Sequence, residues 1–183
     1  MKKSILPTTR PTNEDELFII SRKAYELAMN NQYEEALLIC EWLIAEPFSY
    51  IEGLRSRAAV FSRRGDKEQA ILDWESILAT GVEDPGDMFS VVMLYLKFQR
   101  NIEAEMVCDK GIRVSLETDN HFHLSSLRML KAKALLRQFR AKEALVELEQ
   151  VPDDGFIYMY GRGVRTKADM IAQAHQIIEQ RRN

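Results

Sequence analysis

A chain of 183 residues, 46% of them hydrophobic, with 25 Lys and Arg against 28 Asp and Glu, is long enough to bury a core as one domain. Its net charge of −3 argues against general attraction to nucleic acid, and its two cysteines are too few for a disulfide framework. No apolar run approaches the ~20 residues needed to cross a bilayer, and the basic Met1-Lys2-Lys3 start meets polar residues where a secretory leader needs an apolar core, so the cytoplasm is the expected location.

Residues 1–12 carry Pro7 and Pro11 among threonines and bases, the composition of an extended or disordered arm. Asn13, with Glu16 three residues on, opens a helix whose Leu17, Ile20, Ala24 and Leu27 recur at helical spacing. Asn30-Asn31 can take the left-handed turn that ends it. A second helix over about Tyr33 to Glu46 stops before Pro47. Ser49 with Glu52 and Asp66 with Gln69 read as capping boxes for the next two helices, separated by Gly65, and Gly81 ends the second of them. Asp84-Pro85 starts a third pair, whose turn near Arg100 leaves Asn101 as a cap. Arg113 to Glu117 can prolong its second helix by about a turn, with 118–121 as a loop. A fourth pair runs about His123 to Gln138 and Ala141 to Val151, and Pro152-Asp153-Asp154-Gly155 breaks the chain. Phe156 to Tyr160 is too aromatic for a solvated linker. Thr166 to Asp169 then starts a final helix with Met170, Ile171, Ala174, Ile177 and Ile178 in one stripe.

These elements repeat. Ala36, Ala70 and Ala104 are 34 residues apart and Ala144 follows after 40; each is followed four residues later by a bulkier side chain, Cys40, Trp74, Cys108 or Leu148. Twelve residues before each alanine is another small residue, Ala24, Ala58, Val92 or Ala132, and three further on a large one, Leu27, Phe61, Tyr95 or Leu135. Helix axes ~8–10 Å apart leave room for little more than a methyl group at the contact. With this period and helix-turn-helix pattern the chain resembles the tetratricopeptide repeat (TPR) family. Two family positions depart from the pattern: the usual leucine is Lys23, Arg57, Val91 and Lys131, and the usual tryptophan is Ile20, Leu54, Met88 and Arg128.

The resemblance implies an all-α solenoid of about four antiparallel helix pairs plus a C-terminal capping helix. The arm would be followed by a single domain from 13 to 183, with repeats about 17–48, 50–81, 84–116 and 122–152 and a tail over 153–183. It also implies that the first helix of each pair lines a concave groove. Carried over, the groove positions are Phe18, Ser21, Tyr25 and Met29; Glu52, Arg55, Ala59 and Arg63; Phe89, Met93, Leu96 and Lys97; and Met129, Lys133, Leu136 and Arg137. That groove is apolar and basic, while the second helices are rich in acids, among them Glu41, Asp73, Glu105, Asp109 and Glu147. Such a polarity would steer a protein or peptide with an acidic surface into the groove.

Little catalytic chemistry can be assembled. His121 and His123 lack further ligands nearby, His175 reads as a half-buried neighbour of the last stripe, and Gly161-Arg162-Gly163 has neither the strand nor the spacing of a phosphate loop. Cys40 and Cys108 read as small fillers of helix interfaces. The expectation is a non-catalytic adaptor or chaperone-like module needing no cofactor or metal, with no membrane contact and an oligomeric state the sequence leaves open. Two alternatives stand beside it. The resemblance extends to bacterial immunity proteins that neutralise a toxin by direct binding; and a helical repeat with Arg55, Arg63, Lys97, Lys133 and Arg137 beside Tyr25 and Phe89 could bind RNA.

Overall fold

The computed structural model describes residues 5–159 and 163–181. The elements in order are α1 (Glu14–Met29), α2 (Tyr33–Ile44), a 3₁₀ turn (Pro47–Ser49), α3 (Tyr50–Arg64), α4 (Lys67–Ala79), α5 (Pro85–Lys97), α6 (Asn101–Glu117), α7 (Leu124–Arg137), α8 (Ala141–Glu149), β1 (Phe156–Met159), β2 (Gly163–Thr166) and α9 (Lys167–Gln180). The protein is an all-α repeat of paired helices to which one short hairpin is added. Its chain falls into two compact units divided after Val82, one holding α1–α4 and the other α5–α9 with the hairpin. In the first unit α3 packs on α1, α2 and α4; in the second α7 packs on α5, α6, α8, β1 and α9.

The repeat register holds throughout. Ala24, Ala36, Ala58, Ala70, Val92, Ala104, Ala132 and Ala144 are all fully buried. Each pair also turns in the same way, through a left-handed residue at Asn31, Gly65, Gln99 and Phe139, with φ of 60°, 99°, 63° and 60°. Only the second of these is a glycine, so the last two hold a conformation that costs a residue with a Cβ about 1–2 kcal/mol. Glycine at Gln99 relieves that strain and loses some chain entropy. Gln99→Gly is expected to raise stability by about 0.5–1 kcal/mol in urea unfolding, whereas Gln99→Val should lower it.

Three helix starts follow the sequence. Asn13 Oδ1 accepts from the Glu16 amide at 2.9 Å, Asp84 Oδ1 accepts from Gly86 and Asp87 at 2.7 and 3.0 Å, and Thr166 with Asp169 forms a capping box. Three differ. The Ser49 hydroxyl points back and donates to the Leu43 carbonyl at 2.6 Å, tying the 3₁₀ turn to the end of α2 in place of capping α3. Asp66 makes no cap because its carboxylate accepts from Arg64 Nε at 2.6 Å, and Asn101 is the first helical residue of α6, after Arg100.

Basic residues in the leucine position are resolved by ion pairs inside each unit. Arg57 donates to Asp73 of α4 through Nε and Nη2, at 2.9 and 2.6 Å, and to Glu41 of α2 at 2.5 Å. Lys131 stands at the same repeat position and reaches Asp109 of α6 and Glu147 of α8, both at 2.6 Å. Arg128, in the tryptophan position, joins Glu147 at 3.0 Å. The bonds to Asp73 hold the Arg57 guanidinium above its ordinary pKa against its burial. Burial works against the Lys131 ammonium, and its bonds to Asp109 and Glu147 outweigh it, so its pKa is raised. In the third pair Val91 takes the cation's place and Val107 that of the partner acid, so these positions carry no charge there.

Lys23, the remaining basic residue, holds the N-terminal arm: its Nζ donates to the Ile5 carbonyl at 2.7 Å. Residues 5–12 are without helix but are laid against the first unit. Ile5 and Leu6 pack on its core, and the Arg10 guanidinium lies 4.1 Å over the Trp42 ring while donating to the Trp42 carbonyl. Residues 1–4 of the expected arm lie outside the described residues.

At the other end Phe156↔Thr166, Ile157↔Arg165 and Tyr158↔Val164 pair antiparallel. Ile157 is buried and packs this hairpin inward, while Phe156, Tyr158 and Val164 are exposed. Met170 and Ala174 of α9 are fully buried, and α9 packs on α7 and α8 in the manner of a terminal cover. His175, expected half-buried, is exposed.

Candidate interaction surface on the first helices

Side chains spaced by seven and four residues fall on one face of a helix. Phe18, Tyr25 and Met29 of α1 have this spacing and all three are exposed. Ala59 and Arg63 of α3 are the repeat equivalents of Tyr25 and Met29 and are exposed as well, while Glu52, the equivalent of Phe18, is half-buried. Ser21, expected in the same row, is buried, with its hydroxyl donating to the Leu17 and Phe18 carbonyls at 3.0 and 3.2 Å. Arg55 is half-buried beside Glu52 at 3.4 Å. Pro7 of the arm joins Phe18, Ile19, Ile20, Arg22, Lys23 and Glu26 around an open depression of about 500 Å³.

In the second unit the face divides. Met93 is half-buried and Lys97 exposed, with its Nζ 5.3 Å from the Phe98 ring centroid. Phe89 is half-buried because His123 stacks on it, ring centroids 5.1 Å apart, and Phe122 meets His123 edge-on at 4.8 Å. On α7, however, Met129 and Lys133 are buried, as are Leu136 and, on α5, Leu96. β1 packs on α7, and the turn at Gly155 comes so close that a Cβ there would stand 3.7 Å from Met129 Sδ. The hairpin therefore fills the face of the fourth pair where open binding positions were expected. The run of aromatic and β-branched residues at Phe156, Ile157 and Tyr158, bounded in sequence by glycines, is the available signal for a strand. Tyr160, Gly161 and Arg162 lie outside the described residues.

Two arginines expected at the surface act within the units. Arg63 Nε donates to the Ala28 carbonyl at 3.0 Å, and Arg137, at the same repeat position, donates to the Leu96 carbonyl and lies 3.5 Å from Asn101 Oδ1. Each supplies a cation to the last turn of the preceding first helix, where carbonyls lack intrahelical partners. The acids of the second helices are likewise partly neutralised: besides Glu41, Asp73, Asp109 and Glu147, Glu105 takes Arg140 at 2.6 Å. Hydrogen bonds from Arg100 and Arg140 hold the Glu103 and Glu143 carboxyls below the usual range.

Cys40 and Cys108 are buried free thiols. Burial pushes Cys40 up to about 12 and raises Cys108 well above the ordinary thiol value, so neither is a thiolate at neutral pH. Among the described residues no three His, Cys, Asp or Glu side chains gather as a metal set, and no helix is long and apolar enough to cross a membrane.

Comparison with solved structures bears on the fold. A kinesin light chain-like protein from Podosopora anserina, described by its nearly identical TPR-like repeats, superposes with a TM-score of 0.67 at 18% identity, covering 94% of this chain and 91% of that one. The fold is TPR-like. MamA from AMB-1 superposes with a TM-score of 0.62 at 13% identity over 93% of this chain and 86% of its own. No family profile and no curated protein sequence matches the chain. With a TPR-like fold, the protein buries the small residues of its repeat and carries ion pairs at Arg57 and Lys131.

Proposed function

We propose that this chain is a non-catalytic protein-binding module that holds a protein partner on the exposed face of its first helices, in the groove such repeats form. The observation that carries the reading is the open row of Phe18, Tyr25 and Met29 on α1, continued at equivalent positions by Ala59 and Arg63. Three large apolar side chains on one helix face are the anchors an apolar segment buries, each at about 1.5–3 kcal/mol before association costs. Arg63 stays exposed at the end of α3 while its Nε is held by the Ala28 carbonyl, and its positive charge favours a partner with acids at its edge. The fourth pair takes little part, since its face is filled by the hairpin.

A photo-crosslinking side chain at Tyr25 would capture the partner, and Phe18→Ser/Tyr25→Ser/Met29→Ser would test the contact with the purified pair. The triple variant removes only exposed groups, so its thermal unfolding should match wild type. Its affinity should fall at least about tenfold, which is ~1.4 kcal/mol. Equal affinity would move the binding site away from α1.

A further inference from the structure

The second helix of every pair carries a regularity that the first-helix face leaves unexplained. Two residues after the buried alanine stands a large apolar side chain: Leu38 in α2, Leu72 in α4, Met106 in α6 and Val146 in α8. These four are between 54% and 66% exposed, although Cys40, Trp74, Cys108 and Leu148, two residues further on, are in the core. A single exposed leucine needs no explanation. Recurrence at one outward position in all four pairs does, because nothing in the packing of the helix calls for an apolar residue there.

The flanking residues repeat as well. Three residues before the apolar position are Glu35, Gln69, Glu103 and Glu143, and three after it Glu41, Glu75, Asp109 and Glu149. Residues three apart are surface neighbours on a helix, so each apolar side chain sits between polar ones, nearly all acidic. α2 carries Glu34, Glu35 and Glu41 and no Lys or Arg, whereas α4 carries Lys67, α6 Lys110 and Arg113, and α8 Lys142. Arg57 and Lys131 neutralise Glu41 and Asp109 from the first helices, and Arg100 and Arg140 pair with Glu103 and Glu143, while Glu35 and Glu149 make no ion pair among the described residues.

We propose that the outer row of each unit, Leu38 with Leu72 and Met106 with Val146, is a docking surface for a basic amphipathic helix of a protein partner. An apolar line with acids on both sides is complemented by an apolar line with bases on both sides, which such a helix presents. An anionic membrane would be repelled by the same acids. A second copy of the chain is a poor complement, since the bases of its most basic helices, α3 and α7, are largely engaged internally: Arg57, Arg63, Lys131 and Arg137 all bond within their own units, and Lys133 is buried.

The test uses the full chain and a fluorescent amphipathic helical peptide of leucine and lysine, read by anisotropy. Saturable binding that weakens with added salt is expected, with at least about tenfold loss in Leu38→Ser/Leu72→Ser/Met106→Ser/Val146→Ser. Ile19→Ser/Phe139→Ser, which removes exposed apolar groups outside the row, and the α1 triple variant should leave binding unchanged. Unchanged affinity in the row variant, equal loss in either control, or equal binding of a leucine and glutamate peptide would overturn the proposal. Dimerisation abolished by the row variant would overturn it too, assigning the surface to self-association.

Discussion

Arg57→Ala should destabilise the first unit by about 3 kcal/mol, because it leaves the Asp73 carboxylate buried without its cation. Glu41 loses the same partner, but it is exposed and water replaces the bond at little cost. The double variant Arg57→Val/Asp73→Val removes both charges and copies the residues that the third pair carries in these places, Val91 and Val107. It should recover to within about 1 kcal/mol of wild type, since a buried ion pair exchanged for apolar residues is often close to neutral. Urea unfolding followed by circular dichroism reads both effects. A loss under about 1 kcal/mol in the single variant, or no recovery in the double, would mean that Asp73 is not held in the way described.

The second large effect is expected at the C-terminal end. Met170 is fully buried where α9 packs on α7 and α8. Met170→Ala removes its apolar contacts and leaves a cavity, at a cost of about 3 kcal/mol within the 2–5 typical of such truncations. Met170→Leu keeps the volume and should cost less than about 1.5 kcal/mol. Hydrogen exchange should show α9 losing protection first in the alanine variant, with α1–α4 unchanged. Faster exchange spread evenly over the whole chain would contradict a local covering role for α9.

The sequence makes the helix contacts legible and the fate of its surface much less so. Small residues at a fixed step identify helix crossings because a close contact admits nothing larger, and Ala24 through Ala144 are buried as that reasoning requires. Caps were readable where the polar side chain had no rival partner, as at Asn13, Asp84 and Thr166. At Ser49 and Asp66 a nearer carbonyl and a nearer arginine win, and local spacing carries no sign of that competition. The face of α7 differs from its expected exposure for a longer-range reason. Whether Met129 meets water depends on a hairpin some 25 residues further along the chain folding back, which the pattern of α7 itself does not encode. Basic residues in the leucine places were visible as departures, but their partners lie on neighbouring helices and emerge only once the pairs are packed.

The two sealed thiols give the molecule a pair of natural reporters. Cys40 belongs to one unit and Cys108 to the other, and each can react with an external reagent only when its own surroundings open. Pulsed alkylation with mass spectrometry would therefore time the breathing of either half without any introduced label, and in Arg57→Ala the first cysteine should be modified well ahead of the second.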